Sequence, residues 1–209
     1  MLKMYSINLN IQFDLNEDRI NSLIEEIKKF GKIQNNNYKY SFKECPKDIS
    51  EERKYEVSGE YKNILTKIGN KTGRMGSICV KELDQSLEEH IWKIKILNTQ
   101  NYYIMIGIAT IDFDIYSASY QTNKNYGWYY DCYTGYLYSG PPHNFQDKIT
   151  NLKSKSNEIK VIMNMKKRSL KFIIDNEDKG DSYTDIPLNK QIAPSVLLYN
   201  TNDSVEIIE

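Results

Sequence analysis

The stretch HIWKIKIL (residues 90–97) alternates without a break: Ile91, Lys93 and Lys95 fall on one side, Trp92, Ile94 and Ile96 on the other. A period of two is the mark of a strand with one face in a core and the other toward solvent or the next layer. Outward from it, short β-like runs recur at residues 54–58, 61–68, 76–82, 102–110, 126–131, 135–138, 158–165, 169–175, 193–199 and 204–208. The links between most of them are short and turn-rich. Many short strands at this spacing predict an antiparallel sandwich or barrel.

Only one segment carries a convincing helical period. In NEDRINSLIEEIKKF (residues 16–30), Ile20, Leu23, Ile24, Ile27 and Phe30 form one apolar stripe. Asn16 can cap its start, Glu17 and Asp18 suit the positive end of the helix dipole, and Gly31 can end it. Residues 34–53 are polar and mixed, and their asparagine run reads as a linker or surface crossing. The expected organisation is therefore an N-terminal extension over residues 1–50, with a helix at about 16–30, and a β domain over 54–209.

Composition narrows the function. Lys plus Arg and Asp plus Glu are each 28, so the formal net charge is zero. A bulk electrostatic hold on nucleic acid or an anionic membrane needs a basic excess that is absent, so neither is an expected partner. No window reaches the roughly 18 apolar residues of a membrane span, and MLKMYSINLNIQFDLNEDR is not a signal peptide. The expected location is cytoplasmic. Cys45, Cys79 and Cys132 are odd in number and far apart, with no CxxC pair. The chain has 17 tyrosines against 6 Phe and 2 Trp. Its abundant Ile, Lys, Asn and Tyr share A/T-rich codons, which accounts for the number but not the placement. Tyr116, Tyr120, Tyr126, Tyr129, Tyr130, Tyr133, Tyr136 and Tyr138 all fall within residues 116–138.

The order of the runs resembles the SPRY domain family over residues 54 to 209. SLKFIIDNEDKGDSYTDI (residues 169–186) is similar to that family's strand, turn and following segment, with Phe172 as the buried aromatic and Asn176 to Gly180 as the turn. APSVLLYNTNDSVEII (residues 193–208) is similar to its closing pair of strands. HIWKIKIL and YYIMIGIAT place Trp92 and Gly107 where the family has a tryptophan-bearing strand and a glycine-centred successor. GWYYDCYTGYLYSG (residues 127–140) matches the family's aromatic stretch. The pattern departs from the family at Ser156-Asn157, where Gly-Asp is usual, and at Asn164, where Asp is usual; the subfamily stays open. The resemblance implies a mainly β fold, a bent two-sheet antiparallel sandwich of the concanavalin-like kind. It also implies binding of a protein or peptide through loops, no catalysis, and a place within a larger ligase or scaffold assembly.

The residues carry no competing chemistry. His90 and His143 are the only histidines, and no GxSxG, HExxH or phosphate-loop motif accompanies them. IGNKTGRMGS (residues 68–77) reads as a glycine-rich hairpin loop. DNEDKGD (residues 175–181) fails the EF-hand template, since its fifth and twelfth positions are Lys179 and Ile186. It reads as a tight acidic turn. No catalytic residue, metal or cofactor is expected.

Two long stretches, residues 111–125 and 139–157, break the strand rhythm and are candidate functional loops. Tyrosine suits recognition because it offers rigid contact area with a hydrogen-bonding tip. The candidate partner-binding residues are Tyr116 and Tyr120 in the first long loop, Tyr129 and Tyr133 on one face of GWYYDCY, and Lys71 and Arg74 in the 68–76 loop. The alternative is a lectin-like carbohydrate-binding module, since exposed aromatics also stack on sugars. A sandwich glycosidase would need two inward carboxylates about 5–10 Å apart, and no strand carries an isolated inward Glu.

Overall fold

The alternation along HIWKIKIL is realised as a strand whose inner side chains, Trp92 and Ile94, have no solvent exposure while Ile91 stays 43% exposed. The computed structural model describes residues 40–71, 73, 75–112, 127–139, 145–146 and 157–208. Within these the strands are β1 (Tyr55–Ser58), β2 (Ile64–Lys67), β3 (Met75–Ile78), β4 (Glu89–Asn98), β5 (Ile104–Thr110), β6 (Gly127–Asp131), β7 (Leu137–Ser139), β8 (Phe145–Gln146), β9 (Glu158–Asn164), β10 (Ser169–Ile174), β11 (Glu177–Tyr183), β12 (Ile192–Leu198) and β13 (Ser204–Ile208). They form two antiparallel sheets, ordered β1-β2-β13-β4-β9-β10-β11 and β3-β12-β5-β6-β7-β8. The fold is thus the expected mainly β, two-sheet sandwich. The helix expected at 16–30 lies outside the described residues.

The core fills the space between the sheets. Trp92, Ile94 and Ile96 of β4 join Ile159, Val161 and Met163 of β9 and Leu170 and Phe172 of β10. From the other sheet, β5, β6 and β12 are buried along their whole lengths. Their unbroken apolar runs, such as IMIGIAT and IAPSVLL, have no polar face to turn toward water. Two glycines let backbones of this sheet approach closely. A Cβ built on Gly107 would sit 1.8 Å from the Trp128 carbonyl, and one on Gly76 would sit 1.9 Å from that of Val196.

Three local features differ from the sequence expectation. Residues 40–53 do not stand apart from the sandwich. Tyr40 packs on Trp92 with ring centroids 5.8 Å apart, and Phe42 is 1% exposed and bridges Cys79. The Phe42 amide donates to the Lys62 carbonyl at 2.9 Å and the Lys43 amide to that of Ile78 at 3.0 Å. This segment therefore closes the gap beside β3, where a bare edge would expose unpaired backbone. Second, the turn after β10 is Asp175-Asn176, not Asn176 to Gly180. Both have positive φ, 55° and 63°, as a two-residue hairpin turn requires, and Asp and Asn tolerate that region. Gly180, at φ +74°, lies inside β11 where its pairing with β10 shifts register. Third, residues 68–74 are not a hairpin loop, because β2 and β3 belong to different sheets.

The three cysteines are free, Cys45 partly exposed and Cys79 and Cys132 buried. Burial pushes the thiols of Cys79 and Cys132 well above the usual range. The thiolate is the reactive form, so native protein should take up iodoacetamide at Cys45 first, with Cys79 and Cys132 reacting only after denaturation. Peptide mapping that finds all three alkylated at one rate would contradict the packing. Gly107→Ala should cost about 1–3 kcal/mol through overpacking, read from urea denaturation midpoints; an unchanged midpoint would show that β6 can yield.

Candidate functional site

Three passages of the chain from one sheet to the other converge at one end of the sandwich. Residues 68–74 join β2 to β3, residues 99–103 join β4 to β5, and residues 199–203 join β12 to β13. The turn between β6 and β7 lies at the same end, since Asp131 pairs with Met105 near the start of β5. Crossings like these leave backbone amides and carbonyls that no ladder satisfies.

Two buried side chains satisfy them. Lys67, the last residue of β2, has no solvent exposure. Its ammonium donates to the carbonyls of Lys71 at 2.9 Å, Gly73 at 2.8 Å and Tyr199, and lies 5.7 Å from the Tyr199 ring centroid. Burial lowers its pKa, and the nearby Asp203 charge works the other way. Asp203, also fully buried, accepts from the amides of Gln100 at 3.3 Å and Asn200 at 2.8 Å and from the Asn200 side chain at 3.1 Å. The backbones of the two residues join as well, Lys67 N donating to Asp203 O at 3.0 Å. Lys67 and Asp203 thus touch all three crossings. The remaining turn has its own carboxylate: buried Asp131 accepts from the amides of Tyr133 at 2.9 Å and Thr134 at 3.4 Å.

On this base stands a row of aromatic rings. Tyr103, which leads into β5, packs against Tyr133 with centroids 3.8 Å apart and against Tyr199 at 5.3 Å. All three are half-buried, and Tyr136 beyond them is exposed. A hydrogen bond with Tyr133, then burial and the neighbouring charges, hold the Tyr103 hydroxyl above the ordinary tyrosine range. Tyr102 sits at φ 58°, a left-handed conformation that a bulky residue adopts only under constraint. Its amide donates to Thr99 Oγ1 at 3.0 Å and its hydroxyl to Asn157 Oδ1 at 3.3 Å, which hold it there.

The sequence-derived candidates divide. Lys71 and Tyr133 both lie at this end. Lys71 is ion-paired with Glu52 at 3.0 Å, a surface pair worth at most about 1 kcal/mol. Tyr129 is a core residue, 4% exposed, its hydroxyl 2.9 Å from Ser195 Oγ, and it offers a partner no surface. β6 is covered on both faces, so its alternation does not separate an outer from an inner side. Tyr116, Tyr120 and Arg74 lie outside the described residues. Asp112 and Gly127, which flank residues 113–126, are at the opposite end of the sheet from Tyr133, as the pairing of Ala109 with Gly127 and Met105 with Asp131 shows. Tyr103, Tyr199, Lys67 and the two aspartates were not singled out from sequence. The legible signals were the turn-forming strings DCYTG and NTND.

The SPRY domain family matches residues 89–209. The chain belongs to the SPRY domain family. SPRY domains are interaction modules, generally non-catalytic, that mediate contacts between proteins. The fold is similar to the SPRY domain of human HERC1, with a TM-score of 0.56 and 18% identity over 74% of this chain and 92% of that one. It is also similar to the TRIM65 PSpry domain, with a TM-score of 0.54 and 10% identity over 87% and 99%. A further human SPRY domain gives 0.53 and 14% over 74% and 94%. Such identities speak for the fold alone. No curated protein matches the chain by sequence.

Among the described residues, this SPRY domain's crossing end carries tyrosines, Lys67, Asp131 and Asp203. Among the described residues no group of three His, Cys, Asp or Glu side chains is placed to hold a metal. His90 is remote from it, its Nε2 2.9 Å from the Asp84 carbonyl. Among the described residues no helix is long and apolar enough to cross a membrane. Because Asp131 builds the turn that carries Tyr133, Asp131→Ala should cost about 1–3 kcal/mol, while Asp131→Asn, which keeps an acceptor, should cost less. Amide exchange at Tyr133 and Thr134 together with denaturation midpoints would check this; equal effects of the two variants would count against it.

Proposed function

We propose that this chain is a non-enzymatic module that binds a protein or peptide surface at the end of the sandwich where the three crossings meet. The observation that carries the reading is the Tyr103–Tyr133–Tyr199 row, half-exposed and mounted on turns held by buried Lys67, Asp203 and Asp131. Stacked aromatic rings on a rigid base give contact area at little entropic cost. The constrained backbone at Tyr102 supports it, since such strain concentrates at functional positions. Lys71 flanks the row with its charge paired to Glu52, so it adds contact area more than free charge. The family supports binding rather than catalysis. The three free cysteines suit a reducing compartment, and the cytoplasm is the proposed location. Membership of a larger ligase or scaffold assembly belongs to the same proposal.

Alanine substitution tests the surface. Tyr103→Ala and Tyr133→Ala should each weaken capture of the native partner from a cell lysate by about tenfold or more, as truncated aromatic anchors do. Tyr116→Ala with Tyr120→Ala tests the loop that the sequence favoured. If that pair abolishes capture and the first two leave it unchanged, the binding surface lies elsewhere. A glycan array in which the wild-type protein binds sugars, with no protein captured, would replace the reading with a lectin-like one.

A further inference from the structure

The segment joining β2 to β3 is held in two halves by different means. Its first half is fastened to the chain before β1. The amides of Ile68 and Gly69 donate to the Lys54 carbonyl at 3.1 and 2.8 Å, and the Lys71 amide to that of Glu52 at 2.8 Å. A Cβ on Gly69 would lie 2.2 Å from the Glu52 carbonyl, so this half is also tightly packed. The second half has a different anchor. The carbonyls of Lys71 and Gly73 both point at one atom, the Lys67 Nζ, which also takes the Tyr199 carbonyl. An ammonium has three protons, and here all three are directed to backbone oxygens. Gly73 itself has open space where a side chain would be, so packing does not hold it.

We propose that Lys67 is the positioning residue of the binding end, its buried ammonium seating Lys71 and Gly73 beside Tyr199 and so fixing the edge of the tyrosine row. A lysine suits this post because it is a compact point charge with three donors on a long stem. An apolar side chain of similar length fills the same tunnel but leaves three carbonyls without a donor in a site closed to water, each a costly vacancy. The loss falls on one short segment, because the first half of the crossing keeps its own bonds to Lys54 and Glu52. The inference rests on the reading of this end as the binding surface, yet its test needs no partner.

The experiment compares Lys67→Met with Leu65→Ala, a fully buried core residue of the same strand that serves as a control for general destabilisation. Both are incubated with trypsin well below their melting temperatures. Lys67→Met should be cleaved after Lys71 or Arg74 at least about tenfold faster than wild type, with sites outside this segment unchanged, because local opening governs such cleavage. Leu65→Ala should show no such preference. Cleavage of Lys67→Met at the wild-type rate, or at all sites in step with its melting temperature, overturns the proposal. Should Lys67→Met fail to fold, the wild-type protein answers by itself. With nitrogen-labelled lysine, a slowly exchanging ammonium resonance should be visible at neutral pH and vanish in Lys67→Arg, and if every lysine ammonium exchanges like a surface one the proposal fails. Faster cleavage with undiminished capture by Tyr103→Ala would leave the positioning intact and the binding reading wrong, so the two can fail separately.

Discussion

A sandwich whose chain passes repeatedly from one sheet to the other must hydrogen-bond each passage without the help of a ladder. Here three passages meet at one end, and one lysine and one aspartate, both fully buried, carry that load. Either charge alone in such a place would be expensive. Together they offset one another, and each spends most of its remaining bonding capacity on backbone: Lys67 on carbonyls, Asp203 on two amides beside the Asn200 side chain. That division of labour is complementary in sign, since a cation can only donate and a carboxylate can only accept. Tyr199, and through Gln100 the crossing that carries Tyr103, are held by those bonds, while Asp131 holds Tyr133.

The fold was largely legible because its strands alternate or run continuously apolar, and both patterns state which faces are covered. Trp92, Ile94 and Ile96 face the core as their spacing requires. What failed to show was whatever depends on contacts between distant residues. Lys67 reads as an ordinary strand lysine; its burial comes from the crossings that bring Lys71, Gly73 and Tyr199 around it. The segment 40–53 looks like a linker because its two core residues, Tyr40 and Phe42, are scattered among polar ones. β11, EDKGDSY, was hidden by its charge. As an edge strand it needs no apolar outer face, and its two register shifts erase any period. The turn falls at Asp175-Asn176 for a related reason: Gly180 belongs to the irregular pairing of β11 with β10.

The tyrosines illustrate the limit for the site. High β propensity makes clustering ambiguous between strand packing and recognition, and the structure shows both buried and partly exposed tyrosines within six residues. Tyr129 and Tyr130 are core; Tyr129 shares a hydrogen bond with Ser195, and Tyr183 donates to the Tyr129 carbonyl at 2.8 Å. Tyr133, just past the strand end, is lifted out of the core by the Asp131 turn. Its companions Tyr103 and Tyr199 stand about 30 and 66 residues away along the chain, so no local reading joins them; the register of β12, β5 and β6 does.

The neutral charge balance takes on a meaning at this surface. A protein with no bulk excess of either sign cannot steer a partner over long range, and Lys71 already spends its charge on Glu52. On the proposed reading, selectivity comes from shape and stacking at contact distance, which rewards rings held in one arrangement before the partner arrives. A loose tyrosine row would forfeit that advantage in ordering entropy. The buried lysine and aspartates beneath it supply that order in advance, at a cost in desolvation.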